Sequence, residues 1–214
     1  MKIGIVGSGN IGAAIGTLLS RKGHNVMFSY TKDENKLLRL GMQNDYTSSG
    51  SLQAAVTFGD VIFIAVPFSS LDEVLSEPIL FKEKIVISCV NGLQPDFTGD
   101  TIGIPSLLSS SVAELIHDRL QVSKVIEAFN ISFAAIYNLP QRHLNGKKPV
   151  SFYCGDDIES KKVVAGLIED CDCIPVNAGG LKTARSLETL AVSWMQFAVV
   201  AGLSPRIALH TLHF

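Results

Sequence analysis

Near the start of the chain the sequence reads Gly7-Ser8-Gly9-Asn10-Ile11-Gly12, three glycines in a G-x-G-x-x-G spacing. The spacing alone is weak, and its flanks give it meaning. Ahead of it, Ile3-Gly4-Ile5-Val6 is an apolar run that reads as a buried strand. Behind it, Ile11, Ala14, Ile15, Leu18 and Leu19 recur at helical spacing, and Arg21, Lys22 and Gly23 close that helix. A strand, a glycine turn and a helix in that order make a phosphate-binding turn. The first glycine permits the tight turn, the second lets a pyrophosphate approach the backbone, and the third lets helix and strand pack closely. The helix start then offers free N–H groups and a positive dipole end. The alternative is a glycine-rich turn without a ligand.

The rest of the chain alternates short apolar runs with helical periodicity. Strands are expected at Val26–Tyr30, Val61–Val66, Ile85–Val90 and Lys124–Phe129, with Pro67 ending the second of these. Helices are expected at Asp33–Leu40, capped by Asp33, at Leu52–Phe58, and along the stripe Leu108, Val112, Leu115, Ile116 and Leu120. Strands that are apolar throughout, separated by helices, predict an α/β fold with a doubly wound parallel sheet. Asn138–Pro149, polar with two prolines and a glycine, reads as a connector. A strand (Val150–Cys154), a helix around Ser160–Ile168, a strand (Cys173–Asn177) and a long helix from about Leu181 follow.

Composition narrows the function. Of 214 residues 47% are hydrophobic and 18% charged, enough for a sizeable core. A formal net charge of -2 argues against nucleic acid, which calls for a basic surface. Gly7-Ser8-Gly9 interrupts the first apolar run too early for a signal peptide. The longest apolar stretch, Leu190 to Leu203, holds Ser193 and Gln196 and falls short of a bilayer span. Cys171 and Cys173 read as strand alternation, with no second pair to complete a metal site. The expectation is a reduced, cytoplasmic protein without metal or membrane contact.

The end of the second strand bears on which nucleotide binds. An NAD site carries Asp or Glu there, about twenty residues after the glycines. This chain has Tyr30-Thr31-Lys32, with no acid, and Lys36 one helical turn on. A hydroxyl and an ammonium suit a 2′-phosphate, so NADP(H) is the expected cofactor. Asp33 would face the ribose if the turn were shifted, and Lys32 with Lys36 also reads as a solvated pair. Ligands of open α/β sheets lie outside the carboxyl ends of the strands. Val66-Pro67-Phe68 and Val90-Asn91-Gly92 should therefore flank the ribose and nicotinamide. Asn91 is either a hydrogen-bonding group there or an Asn-Gly turn residue.

Several segments together resemble the coenzyme F420-dependent NADP oxidoreductase family. They are the glycine turn, Ala65-Val66-Pro67, Lys124-Val125-Ile126-Glu127-Ala128-Phe129-Asn130, Cys154-Gly155-Asp156-Asp157, and Asn177-Ala178-Gly179-Gly180-Leu181 leading into Ala184-Arg185-Ser186-Leu187-Glu188. The oxidoreductase domain of the membrane ferric reductases called STEAPs is a relative with the same opening. The resemblance implies a Rossmann NADP-binding domain over 1–145. A small C-terminal α/β portion over 146–214 would complete the acceptor site and offer a dimer interface. It also implies that Ser8, Asn10 and Ile11 contact the cofactor phosphates and ribose, that Thr31 and Lys32 hold the 2′-phosphate, and that Asn130 lies near the nicotinamide or a flavin-like acceptor. The chain departs from the family pattern at the arginine beside the 2′-phosphate, here Thr31 or Lys32. The family's Asn-Pro is Asn91-Gly92, and its Asp-Ala-Gly-Pro is Asn177-Ala178-Gly179-Gly180.

The expected activity is hydride transfer between NADP(H) and a small flavin-like acceptor, coenzyme F420 or a flavin, which calls for positioning more than acid–base help. No catalytic triad is expected from His24, His117, His143, His210 or His213. The rival reading is a non-catalytic NADPH-binding redox sensor. A reductase of imines or hydroxy acids would need a lysine or aspartate proton donor, which the sequence does not place. The last helix, with Leu187, Leu190, Ala191, Trp194, Phe197, Ala198 and Ala201, is apolar on most sides. Its expected role is a homodimer interface or a lid over the acceptor, and core packing is the alternative.

Overall fold

The strand-end loops that matter most are brought together by the order in which the strands pair. The computed structural model describes residues 1–95, 103–105, 109–121, 124–139, 146–203, 205 and 207–211. The first half runs β1 (Lys2–Val6), α1 (Asn10–Arg21), β2 (Asn25–Ser29), α2 (Glu34–Gly41), β3 (Thr47–Ser49), α3 (Leu52–Phe58), β4 (Val61–Ile64), α4 (Leu71–Val74) and β5 (Ile85–Ser88). The second half runs β6 (Leu93–Pro95), β7 (Gly103–Pro105), α5 (Val112–Leu120), β8 (Lys124–Ala128), α6 (Ala134–Tyr137), β9 (Val150–Gly155), α7 (Ile158–Asp170), β10 (Ile174–Asn177) and α8 (Ala184–Val200).

Eight strands form one sheet in the order β10-β9-β8-β5-β4-β1-β2-β3. From β1 the chain moves outward to β2 and β3, then returns to the other side of β1 for β4, β5 and β8. The reversal between β1 and β4 is the topological switch point, where open α/β sheets leave a crevice. This is the Rossmann-type α/β architecture expected from the sequence. β1, β4 and β5 are buried on both faces, Ile3, Ile5, Ile62, Phe63 and Ile64 being fully so. α1 lays Ala14, Ile15, Leu18 and Leu19 on one face of the sheet. α5 lays Val112, Ile116 and Leu120 on the other. Each of these Ile, Leu and Val side chains contributes about 1.5–3 kcal/mol on burial.

The sheet departs from the all-parallel expectation at one step. β9 pairs antiparallel with β8, and β10 pairs parallel with β9. A parallel return needs a crossover, usually a helix along the sheet. The connection after β8 carries only the single turn of α6 among its described residues. As a result β10 runs antiparallel to β1, and the chain enters the loop Asn177-Ala178-Gly179-Gly180 heading away from the end of the sheet that carries the glycine turn. The boundary expected at residue 145 falls outside the described residues, and strands from both sides of it join the one sheet. Leu108, His143 and His213 also lie outside the described residues.

β3 and the β6–β7 hairpin have no counterpart in the sequence reading. No helix among the described residues is long and apolar enough to cross a membrane.

Candidate functional site

The glycine turn is set by backbone packing at two of its glycines. Gly7 has φ +106°, and a Cβ there would lie 2.4 Å from the Ala65 carbonyl oxygen. A Cβ on Gly12 would lie 2.0 Å from the Gly7 carbonyl oxygen. Gly9 differs: its φ is −70°, and a Cβ there would meet nothing within 4 Å. The protein itself therefore gives no packing reason for a glycine at position 9. The open space above it is a cradle that a side chain would fill, which is what the second glycine provides for a pyrophosphate.

The turn aims the start of α1 at this space. The helices beginning at Glu34, Leu52, Val112 and Ile158 are capped by the side chains of Asp33, Ser51, Ser111 and Asp157. α1 has no side-chain cap and no acid in its first turn. Its first N–H groups and the positive dipole end are left to an anion. Ser8 is turned inward: its N–H donates to the Tyr30 carbonyl at 3.1 Å and its hydroxyl to the Ser29 carbonyl at 2.8 Å. Ser8 is fully buried, so it braces β1 against β2 and leaves Gly9, Asn10 and Ile11 at the ligand end of the turn.

Two clefts adjoin along the carboxyl ends of the strands. The first, about 600 Å³, lies between the ends of β2 and β4, and Gly9, Tyr30, Thr31, Lys32, Val66 and Glu73 are among its lining residues. The second, about 530 Å³, shares Val66 and Pro67 with it and continues past Ile11, Phe68 and Asn91 to Met195 of α8. Of the expected site residues, Gly7, Gly9, Ile11, Tyr30, Thr31, Lys32, Val66, Pro67, Phe68 and Asn91 thus line this continuous crevice. Asn10 and Lys36 line a third cleft, between α1 and α2, which meets the first at Gly9 and also includes Leu40 and Gln43. Asp33 caps α2 by accepting from the Lys36 N–H at 2.9 Å, and Lys36, Leu40 and Gln43 then fall on the face toward α1. The same cap occupies the Asp33 carboxylate, which the sequence left open for the ribose.

Glu73, which the sequence reading did not single out, faces this crevice. The Tyr30 hydroxyl donates to Glu73 Oε2 at 2.6 Å, and this bond, with burial behind it, raises the phenol above its usual range. Tyr30 itself sits at φ +55°, a left-handed turn that ends β2 and swings its ring toward α4.

Behind the second cleft lies a buried polar chain. Asn91 Nδ2 donates to the Asn130 carbonyl at 2.9 Å, and Asn130 Nδ2 donates back to Asn91 Oδ1 at 3.1 Å. Asn130 Nδ2 also donates to Glu127 Oε1. Phe129, at φ +63°, turns the chain after β8 so that Asn130 comes back onto Glu127. Glu127 is fully buried. Burial first, and then neighbouring Glu188, hold its carboxyl well above the usual carboxylate range. Glu188, on α8, accepts from the Val112 and Ala113 N–H groups at 2.7 and 3.2 Å, and burial raises it too. The sequence points to Asn91 and Asn130 but not to their link with Glu127, an acid inside an otherwise apolar strand, or with Glu188, 61 residues further on. Burial likewise pushes the thiol of Cys89, another residue lining the second cleft, far up.

The described histidines stand away from the crevice. His24 Nε2 pairs with Asp170 at 2.9 Å, His210 Nδ1 lies 3.0 Å from the Lys148 carbonyl, and His117 is exposed on α5. Among the described residues no cluster of three or more His, Cys, Asp or Glu could hold a metal.

Residues 2–92 match the sequence profile of a family described as NADP oxidoreductase, coenzyme F420-dependent. A glycerol-3-phosphate dehydrogenase, NAD(P)+, of Tropheryma whipplei (strain Twist) is 28% identical over 235 residues, covering 100% of this chain and 63% of that protein. Metalloreductase STEAP3 of Rattus norvegicus is 24% identical over 189 residues, covering 88% of this chain and 36% of that protein. The chain therefore spans less than two thirds of the length of either relative. The crystal structure of a proposed F420-dependent NADP reductase from Arthrobacter sp. FB24 superposes with a TM-score of 0.82 at 22% identity, covering 96% of each chain. That likeness shows the shared fold.

Proposed function

We propose that this chain, whose residues 2–92 match the profile of the coenzyme F420-dependent NADP oxidoreductase family, passes a hydride between NADP(H) and a flat, flavin-like acceptor. The observation that carries the reading is the open space at Gly9 in front of the uncapped start of α1, at the switch point of the sheet. The pyrophosphate would lie against the N–H groups that open α1. Thr31 and Lys32 would hold the 2′-phosphate, where no acid stands at the end of β2. The nicotinamide would enter the second cleft between Ile11, Pro67 and Asn91, and Asn130 would act from behind Asn91.

A bound nicotinamide supplies the hydride-carrying carbon. The chain's own residues bind, orient and exclude water. Val66, Pro67 and Phe68 make an apolar wall, and Met195 brings the C-terminal portion into the same cleft. A dry pocket holding two flat rings at reacting distance provides most of what hydride transfer asks of a protein.

The C-terminal portion thus reaches the site through α8, which also leaves Leu190, Phe197, Val199 and Val200 exposed. A second copy of the chain covering that face would make the homodimer. Steady-state assays of NADPH oxidation with F420, flavin, quinone and ferric acceptors test the activity. Turnover with a flavin-like acceptor supports the proposal. Tight NADPH binding without turnover on any acceptor would favour the redox-sensor reading instead.

A further inference from the structure

Three observations meet behind the second cleft. Glu127 is fully buried and its Oε1 accepts from Asn130 Nδ2. Asn130 and Asn91 bond each other twice, and Asn91 alone of the three lines the cleft. Glu188 faces Glu127 from α8 and is held by the Val112 and Ala113 N–H groups at the start of α5. An asparagine amide can flip, and its two ends look alike in shape but not in polarity. Here the Asn130 amide is held through its Nδ2, which donates to both Glu127 Oε1 and Asn91 Oδ1, while Asn130 Oδ1 is buried with no hydrogen-bond partner.

We propose that Glu127 is a positioning residue for the cofactor: wedged between Glu188 and Asn130, it fixes the Asn130 amide and, through it, the orientation in which Asn91 meets the nicotinamide side of the cleft. The proposal rests on the NADP(H) reading of that cleft. The groups that face Glu127 favour its neutral form. Glu188 comes from α8, Cys89 from the end of β5 and Cys154 from β9, and each is acidic or neutral. The described basic side chain nearest in sequence on α8, Arg185, is occupied by Glu114, with Nε and Nη2 donating at 2.8 and 2.7 Å. A neutral carboxyl can accept from Asn130 with one oxygen and carry its proton on the other, beside Glu188.

A purely structural role makes a different forecast. Replacing a buried acid by an apolar side chain of similar volume is often neutral or stabilising. The test is calorimetric titration of NADPH into the wild type, Glu127→Gln, Glu127→Met, Asn91→Ala and the Glu127→Met/Asn91→Ala double variant, with melting temperatures recorded alongside. Glu127→Gln keeps a neutral group with an acceptor and a donor, and is expected to bind NADPH within about twofold of wild type. Glu127→Met is expected to melt no lower than wild type yet to bind NADPH at least about fivefold more weakly. In the Asn91→Ala background the Glu127→Met penalty should disappear, because the two act along one line.

If Glu127→Met does not fold, Asn130→Ala cuts the same chain one step later and takes its place in the cycle. Wild-type affinity in Glu127→Met, or a penalty that adds in full to that of Asn91→Ala, overturns the positioning role while leaving the cofactor reading intact. A wild type that binds no NADPH overturns the cofactor reading and this proposal with it.

Discussion

Across the mouth of the first cleft the Tyr30 hydroxyl bonds Glu73 Oε2 at 2.6 Å, placing a carboxylate in the same crevice as Thr31 and Lys32. A negative charge there opposes a 2′-phosphate, whereas a bare ribose hydroxyl can donate to it. Exposed charge pairs are worth about 0.2–1 kcal/mol. Glu73→Gln should therefore tighten NADPH by roughly up to fivefold and leave NADH no tighter than in the wild type. Fluorescence titration with both nucleotides checks this, and equal changes for the two would remove Glu73 from the 2′ side.

Lys32 makes the opposite forecast. It is exposed, so its contact with a phosphate sits at the low end of a charge-assisted bond, about 1.5 kcal/mol. Lys32→Ala should weaken NADPH about tenfold with little effect on NADH. Lys36→Ala, on the α1 side of α2, should change neither by more than about twofold if Lys36 stays in the third cleft.

The Glu127 carboxyl is raised in the folded chain. Such a group adds stability that is fully present below the ordinary carboxylate range and is lost as pH rises through its folded value. Glu127→Gln has no proton to lose. The difference in stability, variant minus wild type, should grow in the variant's favour between about pH 5 and pH 8, by at most about 1.4 kcal/mol per pH unit. Thermal melts at several pH values measure it. A difference that stays flat across that range would mean that Glu127 is ionised in the fold.

The open face of α8 predicts association. Phe197 is 62% exposed and Val200 70%. Sedimentation should show a dimer at micromolar concentration, and Phe197→Glu should return it to a monomer with its melt little changed. A wild-type monomer would leave α8 to its role beside Met195.

The alternation of strands and helices was legible because β1, β4 and β5 are buried on both faces and so read as unbroken apolar runs. Asp33 as the cap of α2 was legible for a similar reason, since capping is local chemistry. β3 was not: Thr47-Ser48-Ser49 is a polar edge strand recruited by its pairing with β2, with no pattern of its own. The reversal of β9 depends on what its connection can span, which composition does not reveal. Within the site, the glycine turn and the loops after β2, β4 and β5 were legible from motif and topology. The inward turn of Ser8 was not, because it depends on the Ser29 and Tyr30 carbonyls of another strand. The Glu127–Asn130–Asn91 chain joins the ends of two strands, and Glu188 comes from a helix far along the sequence. Neither spacing nor periodicity records contacts of that kind.

The two glycines that bound the turn give the most direct measurement. Gly12→Ala drives a Cβ into the Gly7 carbonyl and should lower the melting temperature by several degrees, whatever the ligand. Gly9→Val meets no protein atom near its Cβ and should melt close to wild type. Calorimetric titration of NADPH into wild type and Gly9→Val then asks what the space is for. Binding by the wild type and none by an equally stable Gly9→Val is the predicted result. Wild-type affinity in Gly9→Val, or no NADPH binding by the wild type, would contradict it.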